Sequence, residues 1–518
     1  MKHIYIKTLL FISSFGLFSV SCDDNIDPLV EELELARVLS PHGLQAFIRN
    51  RTTIELTWNV RDDVDHYVVE FSEDSLLFTS IIRTITVQPD ELPVQEVFFG
   101  DTRYSARVKG VSAAGVADSK WSAITVLTES ENIFLPLAND NIGSTEVTLS
   151  WPAGSEVTRF VINPGNVERN ISAGEKAAGE ATITGLTGLT NYSVTMYSGS
   201  SQRGFVEFRT LVDPAGPNTI EVQATDDLSA VIAGAAPGSI LVLHPGDYLA
   251  YTGSIDINKS IEIRGYLPYN KPLLHVQFSI LDAAASVVLG DLDLDGDETL
   301  NDVVRYNTAA VTYGTLKLEG CNIHDFARSF IAGNVASTVN AIEVNDCVVT
   351  NVLTSGGDFI DFRNTYVVDL KVTNSTFNNS SPGRDFVRMD AASGFSGTGL
   401  NSNVLIDHCT LYGVSNTADR ILYVRFNSNS LTVQNTLIAA TDGYYSNQAS
   451  TSQPACSNNN YFNAVGFITE AYVANAKIDV SANYTTLDPG FADAANGDFT
   501  ISNQSLIDRQ VGDPRWRN

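Results

Sequence analysis

The chain has 518 residues, with 32 basic and 60 acidic side chains and a net charge of −28. That length exceeds one ordinary core and predicts several domains. The acidic balance argues against nucleic acid, or an anionic membrane surface, as a partner held by charge, and it opposes unaided approach to an acidic polymer.

Met1–Lys7 supplies a positive start, and Thr8–Val20 is a short apolar run ending at Ser21-Cys22. Such a run is too short for a permanent span but suits the core of a signal segment, predicted over residues 1–21. A small residue followed by Cys22 resembles a bacterial lipobox, although Ser19 stands where the usual pattern has Leu. The resemblance implies that Cys22 is diacylated and anchors the chain to outer-membrane lipid. Asp23-Asp24-Asn25 resembles the acidic signal that sends Bacteroidota lipoproteins to the cell surface. Residues 22–36 then read as an acidic tether.

Two segments follow, 37–129 and 130–212, each with short alternating strands separated by turn signals. The first contains Ile54-Glu-Leu-Thr-Trp58 and Thr102-Arg-Tyr104, and the second Val147-Thr-Leu-Ser-Trp151 and Thr190-Asn-Tyr192. The core Trp and the Thr-x-Tyr spacing resemble fibronectin type III domains. The resemblance implies β-sandwiches that space and present other domains, with Trp58 and Trp151 in their cores.

Leu211–Pro217 is a linker rich in turn formers, and Thr225–Gly234 carries the signals of a short capping helix. From Ile261 one phrase recurs seven times: an alternating apolar strand, two small or polar residues, then a small residue. The phrases start at Ile261, Val287, Leu316, Ile342, Leu370, Val404 and Leu431, spaced by 26, 29, 26, 28, 34 and 27 residues. A strand-based repeat of this length predicts a solenoid whose strands pair in parallel from turn to turn. The fold class is therefore all-β: two sandwiches followed by a right-handed parallel β-helix over 217–518. Its entry resembles the pectin-lyase-like superfamily, and the whole chain resembles a group of Bacteroidota surface lipoproteins without assigned activity. Cys321, Cys347 and Cys409 hold equivalent places in three repeats and are expected to stack inward rather than pair as disulfides. Cys456 lies in a later turn, and His244, His275, His324 and His408 show no ligand spacing, reading as surface or turn residues.

Each repeat also holds a second strand. If Ile360/Phe362, Val387/Met389 and Leu422/Val424 point inward, then Asp361/Arg363, Arg388/Asp390 and Tyr423/Arg425 point outward. Turns ~4.8 Å apart would stack these groups, with Arg384 and Arg420, into one charged ladder. The alternatives are a surface salt-bridge ladder or a binding face for carboxylated sugars. Lyases of the resembled superfamily remove a proton alpha to a uronate carboxyl group while a cation, often calcium, neutralises that group. If the chain has such an activity, the ladder alone makes Arg388 the base, and Asp361 and Asp390 nearby acceptors or calcium ligands. Asp291, Asp293 and Asp295, with Gly296 and Asp302 following, also imitate a calcium loop, although Glu298 stands where an apolar residue belongs. The competing reading continues the Val287 strand, with Leu292 and Leu294 inward. The expected role is polysaccharide binding, pectin-like and uronate-containing, alongside glycan-uptake proteins. The alternatives are a calcium-assisted lyase and a non-catalytic structural or adhesion protein.

Overall fold

In six of the seven phrases, all but the first, the fifth residue determines how the solenoid turns. Asp291, Asp346, Asn374, His408 and Asn435 sit there with φ between 48° and 56°, and Gly320 with φ 65°. These residue types tolerate the left-handed region, so the repeated polar position is a corner that ends one strand and aims the next. In the computed structural model, which describes residues 36–282, 284–390, 395, 398–417, 419–426 and 428–517, the corners align turn after turn. The signal segment, Cys22 and nearly all of the acidic tether lie outside the described residues.

The seven phrases form consecutive members of a ten-stranded parallel sheet, and their first residues are mutual register partners: Ile261 with Val287, Leu316, Ile342, Leu370, Val404 and Leu431 in turn. Thr219–Val222 and Ser239–Leu243 extend the sheet at its start, and Ala455–Ser457 at its end. Leu228–Gly234 is the expected helix, capped by the Asp227 carboxylate on the Ala230 N–H at 3.0 Å.

Most of the remaining solenoid strands form two arms that meet at Leu273–Ile280, where Asp247–Ile257 also pairs, and Phe491–Asp493 and Asp498–Ile501 form a separate antiparallel pair. One arm holds Asp302–Tyr306, Ser329–Gly333, Ile360–Phe362, Val387–Met389 and Leu422–Val424, and the other begins with Asp293–Asp295, Asn322–His324 and Val348–Thr350. Apolar residues from all three faces fill a continuous interior. Inside it, the rings of Phe330, Phe359 and Phe386 stack with centroids 5.1 and 4.7 Å apart. The three cysteines behave as expected: Cys321, Cys347 and Cys409 are buried free thiols. Their column continues through Ser375, Thr436 and Asn459, where small polar groups satisfy backbone N–H groups of the turn before. Ser375 Oγ accepts from Cys347 N at 3.0 Å, and Asn459 Oδ1 from Thr436 N at 3.0 Å.

The first sandwich pairs a sheet of Gln45–Arg49, Thr53–Thr57 and Val94–Val97 with a four-stranded sheet of Val64–Ser72, Arg83–Val87, Arg103–Ser112 and Ser122–Leu127. Trp58 is buried against Tyr67, ring centroids 5.1 Å apart. In the second sandwich Glu146–Ser150 pairs with Glu180–Thr184, and Trp151 packs edge-on to Phe160. Both use one corner device. Tyr104 Oη accepts from Phe99 N at 3.3 Å, and Tyr192 Oη from Thr187 N at 2.9 Å. These are fibronectin type III-like sandwiches preceding a parallel β-solenoid.

Candidate functional site

Parallel pairing in register places Asp361, Arg388 and Tyr423 side by side on successive turns. Ile360, Phe362, Val387, Met389, Leu422 and Val424 are buried between them, so the intervening side chains face out. The ladder is thus in place, and its chemistry depends also on buried residues just before these strands, of which Asp358 and Asp385 were not site candidates. Two positions before the paired Val304, Ile331, Ile360, Val387 and Leu422 lies a column of Asp302, Ser329, Asp358, Asp385 and Arg420. The three carboxylates are buried. Asp302 accepts from Arg305 Nη1 at 2.8 Å and Arg328 Nε at 2.9 Å. Asp358 accepts from Arg363 Nη2 and Arg388 Nη1, each at 3.1 Å, and from Asp385 N at 3.2 Å. Asp385 takes Arg420 through Nε at 2.7 Å and Nη2 at 3.0 Å.

A second row lies further out. Asp361 binds Arg363 Nε at 2.9 Å, and Asp390 binds Arg388 Nη2 at 2.8 Å and Arg425 Nη1 at 3.2 Å. Arg388, Arg420 and Arg425 surround the Tyr423 ring, their guanidinium carbons 5.0, 4.4 and 5.7 Å from its centre. The Arg425 side chain remains 44% exposed and that of Arg363 36%. Arg384 is exposed, and its backbone carbonyl, not its guanidinium, is what Ser381 and Ser415 hold.

This arrangement argues against Arg388 as a base. Burial works against its charge, but Asp390 and Asp358 outweigh that and hold the guanidinium more firmly protonated than usual. A group pinned in its protonated form by two carboxylates is poorly suited to remove a proton.

The calcium-loop grouping also divides. Asp291 is a corner residue whose carboxylate accepts from Arg264 Nη1 at 2.6 Å. Arg264 is buried, reaching Glu262 at 2.7 Å and Glu319 at 3.1 Å as well. Burial pushes the Glu319 carboxyl upward, but Arg209 and Arg264 outweigh it and hold it at about 2. Asp291 is therefore committed to an internal ion cluster. Leu292 and Leu294 point inward, as the strand reading requires, and Asp293 and Asp295 point out.

Asp293 and Asp295 meet two histidines that sequence spacing did not single out. His324 Nε2 lies 3.2 Å from Asp293 Oδ1, and its Nδ1 lies 3.6 Å from Asp295 Oδ1 and 2.8 Å from Asp325 Oδ2. His275 Nε2 lies 3.0 Å from Asp247, and its Nδ1 lies 3.0 Å from Asp297 and 3.9 Å from Asp295. The neighbouring Asp293 carboxylate, helped by Asp325, raises His324 to about 9 against the opposing effect of burial. Because the folded value is raised, the stability from protonated His324 is complete below its ordinary value of 6.5 and is lost as pH rises through about 9. In chelator-treated protein, the melting temperature should therefore fall more between those pH values for the native chain than for His324→Gln. Parallel curves would refute this.

The solenoid matches two family models. Residues 246–380 match a domain of unknown function (DUF4957), and residues 404–516 match another domain of unknown function (DUF5123). No curated protein gives a significant match. Among solved structures, the chain is similar to a two fibronectin type III domain segment from chicken tenascin, at 16% identity over 33% of this chain and 97% of that one, with a TM-score of 0.22. The FN1–FN3 domains of chicken CNTN1 give 15% identity over 33% and 66%, with a TM-score of 0.15. The central fibronectin III array of RIM-binding protein gives 19% over 35% and 64%, also with a TM-score of 0.15. These likenesses concern fold alone, and the sheets described above carry the sandwich assignment by themselves.

Proposed function

We propose that the chain is a non-catalytic, surface-anchored protein that binds a polysaccharide strand, uronate-containing and pectin-like, along the ladder face. The anchor would be the acylated Cys22, and the sandwiches would present the solenoid. The observation that carries this reading is the repetition of guanidinium, carboxylate and tyrosine groups on one face across successive turns. An extended polymer repeats its polar groups along its length, and a solenoid repeats its own along the stack. Asp302, Asp358, Asp361, Asp385 and Asp390 offset Arg305, Arg328, Arg363, Arg388, Arg420 and Arg425, so this face lacks the repulsion that the net charge of −28 implies elsewhere. The open forks of Arg363 and Arg425, with exposed Arg384, suit planar carboxylates. Arg388, fixed between Asp358 and Asp390, supports binding rather than β-elimination.

Affinity electrophoresis through polygalacturonate, methyl-esterified pectin and a neutral glucan tests the reading. Retardation is expected in polygalacturonate, and Arg363→Ala with Arg425→Ala should weaken it roughly tenfold, as expected for two partly exposed contacts. Equal mobility in all three gels, or no effect of the double substitution, would sink the proposal. Ultraviolet-absorbing unsaturated products from the polymer would favour the lyase alternative instead.

A further inference from the structure

The His–Asp cluster lies on the other arm of the solenoid and is independent of the ladder. Its parts come together through register alone. Leu273 and Leu274 pair with Asp293 and Leu294, so His275 stands beside Asp295, and Asp295 pairs directly with His324. Three successive turns therefore present His, Asp and His in one column, at the ~4.8 Å spacing of neighbouring strands. The chain after each strand adds a carboxylate: Asp297 two residues beyond Asp295, and Asp325 directly after His324. Both are held in the left-handed region.

Two overlapping sets of ligand atoms result, and within each set all lie within 4.8 Å of one another. One set is His275, Asp295 and Asp297; the other is Asp295, His324 and Asp325. Ligand atoms around a tetrahedral ion with bonds of about 2.0–2.1 Å stand about 3.3 Å apart. The separations from His275 Nδ1, 3.0 and 3.9 Å, and from His324 Nδ1, 2.8 and 3.6 Å, bracket that value.

The second observation is what lies behind the rings. Each histidine directs Nδ1 into the shared centre and holds Nε2 against a different carboxylate, Asp247 at 3.0 Å for His275 and Asp293 at 3.2 Å for His324. A carboxylate on the far nitrogen is the arrangement that orients metal-ligating imidazoles. Asp293 Oδ1 is buried and accepts no well-formed hydrogen bond, so its nearest partner is that ring. Simple surface pairing would not require both rings to face a common third carboxylate.

We propose that this cluster is a binuclear site for first-row divalent transition ions, with Asp295 as the bridging carboxylate between a His275–Asp297 half and a His324–Asp325 half. Imidazole nitrogen with carboxylate oxygen selects zinc, cobalt or nickel over calcium, which prefers an all-oxygen cage. The site would tie three turns together near the start of the solenoid.

The test uses the full chain, stripped with chelator and titrated with Co2+ and Zn2+. Visible absorption would report tetrahedral cobalt, and calorimetry the stoichiometry. Two equivalents are expected, with each of His275→Asn and His324→Asn losing one, and Asp295→Asn weakening both at least tenfold. Asp297→Asn serves as a second, peripheral variant that should weaken only the His275 half. All these positions are outward-facing, and circular dichroism would confirm that the variants fold. Absence of binding tighter than about 100 µM would overturn the proposal. So would binding unchanged in both histidine variants, or calcium bound as tightly as zinc.

Discussion

Phe359→Ala is expected to destabilise the solenoid by about 3–5 kcal/mol, the range for removing a fully buried aromatic side chain. The ring is fully buried in the middle of a three-ring stack, between Phe330 and Phe386, with Phe377 edge-on at 5.7 Å. Its loss leaves faces of two neighbours without partners, and the parallel strands above and below cannot close the gap without leaving register. Solenoid stability is a sum over turns and their interfaces, so the damage should first appear as early unfolding of the central turns. Urea denaturation should show a lowered midpoint for the solenoid transition, while the sandwiches are unaffected. Phe359→Leu, which keeps most of the volume, should cost clearly less. An alanine variant within about 1 kcal/mol of the native chain would show that the stack is not a main support of the core.

Asp358→Ala should cost about 2–4 kcal/mol by a different route. This carboxylate is buried and serves Arg363, Arg388 and the Asp385 N–H together. Removing it leaves two guanidinium groups facing each other and one buried donor unsatisfied. The figure lies below that of a wholly buried pair because the Arg363 and Arg388 side chains keep 36% and 22% of their exposure. The comparison is Glu343→Ala, which removes the exposed pair with Lys371 at 3.7 Å and should change stability by less than about 0.5 kcal/mol. If both variants unfold at the same denaturant concentration, the buried aspartate column is not what orders the ladder.

The features legible in the sequence are those that repeat. The seven phrase starts are register partners in the folded sheet because each turn must bury the same apolar positions, and a slip of one residue would expose them. The polar fifth residue was visible as a pattern, but its meaning, a left-handed corner, came only from the backbone. That meaning removes Asp291 from a calcium loop and explains His408 without any chemistry. The terminal turns were included in the solenoid but not in the repeat count, because their strands, such as Thr219–Val222 and Ala455–Ser457, lack the full phrase. The site was legible in its outer row and not in its inner one. Asp358 and Asp385 stand just before their strands, and nothing in the local sequence marks them as buried until the turns stack. Asp295 was singled out by its loop spacing, but its meeting with His275 and His324 eluded motif spacing because a solenoid brings ligands together one turn apart, at separations set by loop length rather than by a local strand or helix period.

The inward column of Cys321, Cys347 and Cys409 has a consequence for folding under oxidising conditions. Burial pushes the thiols of Cys347 and Cys409 up, and that of Cys456 to about 12, so little thiolate exists to react. In the folded protein these sulfurs should resist both alkylation and oxidation. In the unfolded chain they are free to misjoin, and the column closes only as turns stack. Folding under oxidising conditions thus places a premium on speed: each completed turn takes another thiol out of reach before an oxidant can find it.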